Sequence, residues 1–231
     1  MEGREGVMEN PEDPGRWPPG SGPLWLHPDD DLAPNRPGET LYGKVAALPT
    51  GAARRARMRL LRRGAEADAL RSSLLAEQTA GARLDRLGGA GWRVLHSVPL
   101  PGDADISHIA IGPGGLLVFR SVLRRGARVE AGEDVVRING RRTEPDVRRC
   151  RGDARRAAHA LGRACGHPVT VHALLVCVGA ARIGVTSALR DVEVLHEDRI
   201  AGLAARGGVL KPDGIEAVYG VARDRRTWHH A

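Results

Sequence analysis

Apolar residues recur along the chain with two periods, and these predict most of its elements. Leu70, Leu74, Gly81 and Leu84, with Glu77 between them, follow one another at spacings of 4, 3, 4 and 3. That period predicts a helix over roughly 65–87 with these five residues on one face. Short Val, Ile and Leu runs bounded by Gly and Pro follow, which is the signature of closely spaced strands. "WRVLHSV" is the first, residues 106–111 the second and residues 116–122 the third, with "GPGG" at 112–115 as the turn. A hairpin closing there pairs residues whose numbers sum to 227. Ile111 then faces Leu116, Ile109 faces Val118, Ser107 faces Arg120 and Asp105 faces Val122, all on one face because strands alternate. A further ribbon turns at Asn139–Gly140, a type I′ signal.

Residues 145–165 read as a helix with Val147, Cys150, Ala154, Ala157, Leu161 and Cys165 inside. "PVTVHALLVCV" is apolar enough to be a strand buried on both faces. A last strand with a short helix and a closing helix complete the order. This is an α/β domain with a mixed sheet, spanning 70–223. Residues 51–69 form a basic helical lead-in, and residues 224–231 a C-terminal tail.

The first 50 residues show no such period. They are rich in Pro and Gly and carry acidic clusters, which predicts a disordered tail. Trp17, Trp25 and Leu26 are its candidate anchors. Charge sharpens the contrast: residues 1–40 hold 3 Arg against 9 Asp or Glu, a net of −6, within a chain whose net is +7, so the remainder carries +13. A basic body can gain affinity for a phosphate backbone by releasing counterions. Arg148, Arg149, Arg151, Arg155 and Arg156 on the outer face of the 145–165 helix, with Arg54 and Arg55 in the lead-in, are the candidate contacts. Yet 33 of the 35 basic residues are Arg, a composition that G+C-rich coding also produces. Three separated cysteines suggest neither a disulfide framework nor a zinc knuckle. Nothing resembles a signal peptide or a membrane span, so a cytoplasmic protein is expected.

Chemistry has few candidates. No Gly-rich phosphate loop, HExxH or GxSxG pattern occurs, so the common nucleotide, zincin and hydrolase-elbow mechanisms lack support. Ser107 and His108 are strand neighbours pointing to opposite faces, which defeats a Ser–His–Asp reading with Asp105. Glu77 stands out, because a carboxylate on an apolar stripe is costly unless paired, metal-bound or near water.

"AEQTAGARLDRLGGAGWRVLHSVPLPGDADISHIAIGPGGLLVFRSV" resembles the NERD (nuclease-related domain) family in an actinobacterial style, and the likeness runs over roughly residues 72–205. It implies a restriction-endonuclease-like fold, a mixed sheet flanked by helices. It also implies a Mg²⁺ site built from a helix Glu, a strand Asp, an acid in the next strand and a Lys two residues on. Phosphodiester hydrolysis needs such a cation to stabilise the developing oxyanion and to make water nucleophilic. Glu77 matches the helix acid. The strand Asp falls on Ser107, the second acid on Arg120 and the Lys on Val122. Three of four positions depart from the pattern.

The expectation is therefore a nuclease-like domain that has lost metal-dependent hydrolysis, with no cofactor and no bound metal. It would bind DNA through phosphate contacts, or an unknown protein partner. Arg120 is expected to pair with Glu77. The alternatives are an active Mg²⁺-dependent DNA nuclease with a migrated site of Glu77, Asp105 and Glu130, and a non-enzymatic adaptor. The acidic tail is expected to compete with phosphate for the Arg faces.

Overall fold

β2 (Asp105–Gly112) and β3 (Gly115–Leu123) form the hairpin on which the site is built, closing through Pro113–Gly114. Their register is the one the turn dictates: Ile111 faces Leu116, Ile109 faces Val118 and His108 faces Phe119. The protein is described by a computed structural model over residues 26–48, 63–186 and 188–231. Arg54, Arg55, Trp17 and Trp25 lie outside the described residues, as does most of the expected lead-in.

β1 (Arg93–Pro99) pairs antiparallel with β2, while β7 (Val171–Val178) and β9 (Val192–Leu195) continue the sheet parallel to β3. The strand order is β1-β2-β3-β7-β9. A second sheet, ordered β6-β5-β4-β8, inserts between β3 and β9. It contains β4 (Arg128–Ala131), β5 (Val136–Ile138), β6 (Arg142–Glu144) and β8 (Arg182–Val185). Asn139 and Gly140 both have positive φ, as the I′ turn between β5 and β6 requires. β8 is too short and polar to have been legible as a strand. The result is an α/β architecture with mixed sheets flanked by helices.

Helix α1 is Glu39–Ala46, α2 is Arg63–Leu84, α3 is Asp146–Cys165 and α4 is Pro212–Ala222. α2 covers one face of the main sheet, packing Ala76, Ala80 and Leu84 on Leu117, Phe119 and Leu174. Its described part begins at Arg63, within the segment expected as a basic helical lead-in. On the other face, Val147, Cys150, Ala157 and Leu161 of α3 pack with Ile109, Val118 and Leu175. All three cysteines are buried and free, and burial pushes the Cys150 and Cys177 thiols up to about 12, as suits small core groups rather than nucleophiles.

Residues 26–48 and 224–231 depart from the expectation of tails. Residues 26–48 dock on the body: Leu26 and Leu32 are buried, and Asp31 forms an ion pair with Arg223. Burial raises the Asp31 carboxyl, but the Arg223 and Ala33 hydrogen bonds outweigh it and leave it below its ordinary value. At the C-terminus Trp228 is buried and its indole N–H donates to the Ala222 carbonyl at 2.8 Å. A few large apolar anchors supply the burial that a Pro- and Gly-rich composition conceals.

Candidate functional site

Glu77 reaches from α2 toward the edge of the hairpin with its side chain almost wholly covered, at 5% exposure. Ser107 Oγ donates to its Oε1 at 3.2 Å, while its Oε2 is buried without a partner. Burial, and then the like charge of Asp105, push this carboxyl up to about 7. The Ser107 and Ser97 hydroxyls and the charge of Arg120 pull the other way and do not prevail. Glu77 is thus poised between acid and carboxylate at neutral pH.

A kink brings Ser107 to Glu77. Ser97 has φ of 48°, a left-handed conformation rare for residues with a side chain. Leu95 and Val98 of β1 lie in one core despite being three apart, and so do Ile106 and Ile109 of β2. Simple alternation would put Ser107 with Ile109 on the α3 face; instead it bonds to α2. The face assignment made from period alone is corrected here: the register holds from the turn as far as His108–Phe119, and the expected Ser107–Arg120 and Asp105–Val122 pairs are not part of the ladder. Asp105 is close enough to act on Glu77, but its own carboxylate accepts a hydrogen bond from Thr40 of the N-terminal segment.

Arg120 does not pair with Glu77. Its Nε and Nη2 lie 2.8 and 2.6 Å from Asp153 Oδ2, and Arg156 Nη2 lies 2.5 Å from Oδ1. Asp153 sits on the buried stripe of α3, directly above β3, at 1% exposure. It offers both oxygens to two guanidiniums, a stronger arrangement than one shared with a carboxyl near half-protonation. Sequence reasoning missed Asp153, although the signal was present: it follows Cys150 by three and precedes Ala157 by four, an acid on an apolar stripe like Glu77. Val122 is half-buried and packs against the main core. Glu130 stands exposed on β4 in the second sheet, opposite Arg137. Among the described residues, no three His, Cys, Asp or Glu side chains gather as a metal site would need.

A histidine pair beside the site was also illegible. His96 Nε2 lies 2.8 Å from Asp85 Oδ1, and His96 Nδ1 lies 2.8 Å from His108 Nδ1. If Asp85 accepts from a neutral His96, then His108 must donate through Nδ1. His108 Nε2 is then a bare lone pair, and it is buried without a partner. Burial, followed by the neighbouring His96, holds the His108 imidazolium form well below its ordinary range.

The α3 arginines divide into two sets. Arg151 is tied to Asp134, Asp191 and the Glu133 carbonyl, and Arg156 to Asp153, so both are spent internally. Arg148, Arg149 and Arg155 are exposed and form no close ion pair among the described residues, although the charge of Arg155 acts on Asp191. Three of the five phosphate contacts expected on α3 thus remain available.

Residues 72–178 match the nuclease-related domain family, NERD. The matched stretch runs from within α2 to the end of β7 and so contains Glu77, the hairpin and α3. Comparison with curated proteins and with solved structures finds no match. No helix among the described residues is long and apolar enough to cross a membrane.

Proposed function

We propose that this NERD-like domain is a cytoplasmic binding module that holds nucleic acid by its phosphates and no longer cleaves it. One observation carries the reading: at the position where the family resemblance implies a metal-binding acid, Arg120 projects a guanidinium clamped to Asp153. A guanidinium has no acceptor atom and a permanent positive charge. The other donors are a serine hydroxyl, a Glu77 that favours its proton below pH 7, and an Asp105 already engaged by Thr40. A hard divalent cation wants several anionic or carbonyl oxygens, and this donor set does not fit Mg²⁺. Arg148, Arg149 and Arg155 supply a surface suited to phosphate contact with little sequence readout.

The nearness of Asp105 to Glu77 favours a second reading, an active Mg²⁺-dependent nuclease with a rearranged site. Incubation of duplex DNA with the protein in Mg²⁺ or Mn²⁺ separates the two. The binding-module reading expects no cleavage above background, and cleavage abolished by Glu77→Gln would establish the second. Binding is tested across a salt series with the Arg148→Ala, Arg149→Ala, Arg155→Ala triple variant. Three lost phosphate contacts should flatten the slope of log K against log salt by about 2.7. A wild-type protein that fails to bind even at low salt would overturn the nucleic-acid reading in favour of a protein-partner adaptor.

A further inference from the structure

Residues 35–40, running from the loop after Leu32 into α1, lie against Ser97, Gly81 and Asp105 beside Glu77, and polar bonds help hold them there. Asn35 Nδ2 donates to the Ser97 carbonyl at 3.1 Å, and the Glu39 N–H donates to Ser97 Oγ at 2.9 Å. Ser97 Oγ lies 3.3 Å from the Arg36 carbonyl, and Thr40 donates to Asp105. Pro37 rests on Gly81, one helical turn beyond Glu77, so closely that a Cβ there would come within 2.3 Å of its ring. α1 contains no buried residue, whereas Leu32, just before the segment, is fully buried and its N–H donates to the Arg223 carbonyl. Gly38 has φ of 83°, a backbone state that glycine adopts without strain.

We propose that residues 33–46 form a lid that opens as a unit about the Leu32 anchor, giving access to the Glu77, Ser107 and Asp105 cluster while the sheet stays folded. The fixed end is secured by apolar burial and the Asp31–Arg223 pair. Beyond Ala33, which packs against the core, the moving part is secured by the contacts of Pro37 with Gly81 and Gly38 with Leu74 and by a handful of hydrogen bonds, each contributing little net stability. Such segments open at the low end of a protein's stability range. Opening removes Thr40 from Asp105 and lets water reach Glu77. Any polar ligand for this cluster must therefore displace Thr40 from Asp105. The device does not depend on what the α3 arginines bind, so its test is independent of nucleic acid.

The experiment is native-state hydrogen exchange on the full chain, followed residue by residue against increasing denaturant. The Glu39 amide should exchange at least a hundredfold faster than amides of β3, with little denaturant dependence. The Asn35→Ala, Thr40→Ala double variant should speed Glu39 exchange by about tenfold and leave β3 unchanged. In the same variant the Glu77 carboxyl, followed by carbon NMR, should titrate closer to an ordinary glutamate. A Glu39 amide that shares the rate and denaturant dependence of β3 would make residues 33–46 part of the permanent core and overturn the lid. So would a loosened variant whose Glu77 titration stays where the wild type has it.

Discussion

Glu77 stores a cost that depends on pH, and the sign of that dependence is fixed by the direction of its shift. Its carboxyl is raised from an ordinary 4.5 to about 7 in the folded protein. The fold therefore favours the protonated form. The associated stability is complete below about pH 4.5 and is lost as pH rises through 7, an amount on the order of 3 kcal/mol at most. Glu77→Gln keeps the shape and can still accept from Ser107, but it has no charge to bury. The variant should match the wild type near pH 4.5 and exceed it by about 1–3 kcal/mol at pH 8, measured by urea unfolding at the two pH values. A wild type with no loss of stability between them would show that water reaches the carboxylate. Glu77 was conspicuous in the sequence because an acid interrupted an apolar period. Its shifted titration was not legible, since it depends on a lid segment that composition alone assigned to a tail.

At the scale of elements, the β2–β3 hairpin was legible because a Gly-bounded turn fixes the register that alternation then propagates. What alternation could not carry was the change of face near Ser97 and Ser107, which needs a left-handed residue that no local sequence signal announced. The error had a consequence: it aimed Arg120 at Glu77, when its partner is Asp153 on α3. Arg120→Leu should leave Asp153 buried with Arg156 as its remaining partner and cost about 3 kcal/mol. Adding Asp153→Leu should recover part of that loss, because a buried pair replaced together by apolar groups is far less harmful than one broken. Chemical denaturation of the three proteins decides it, and a double variant worse than the single would refute the pairing. The hairpin turn makes a sharper demand. A Cβ at Gly112 would fall 2.2 Å from Trp92 Cδ2, and Trp92 is almost wholly buried. Gly112→Ala should therefore destabilise by about 1–3 kcal/mol through overpacking, seen as a lower urea midpoint with an unchanged slope.

For the whole molecule, the N-terminal segment decides how charge and stability combine. Residues 26–48 cannot serve as a free acidic tail, since Asp31 is committed to Arg223 and the Asp30 carbonyl accepts from the Arg225 N–H. The sequence hid this because a docked segment needs only a few anchors: Leu32 is one residue among prolines, glycines and acids. Truncations at 25 and at 48 should consequently behave differently. Removal of residues 1–25 takes away none of the contacts described for Leu32 or Asp31. Removal through 48 strips Leu32 from its buried position, worth about 1.5–3 kcal/mol, and breaks the ion pair. At pH 5 the longer truncation should lower the melting temperature by roughly 5–10 °C. At pH 8 the loss should be smaller, because uncovering Glu77 lets its carboxylate reach water and returns the cost that burial imposed. Thermal melts of both truncations at the two pH values test the linkage. An equal drop at pH 5 and pH 8 would mean that the segment stabilises the fold without sealing the acid, and the connection between the docked N-terminus and the Glu77 cluster would fail.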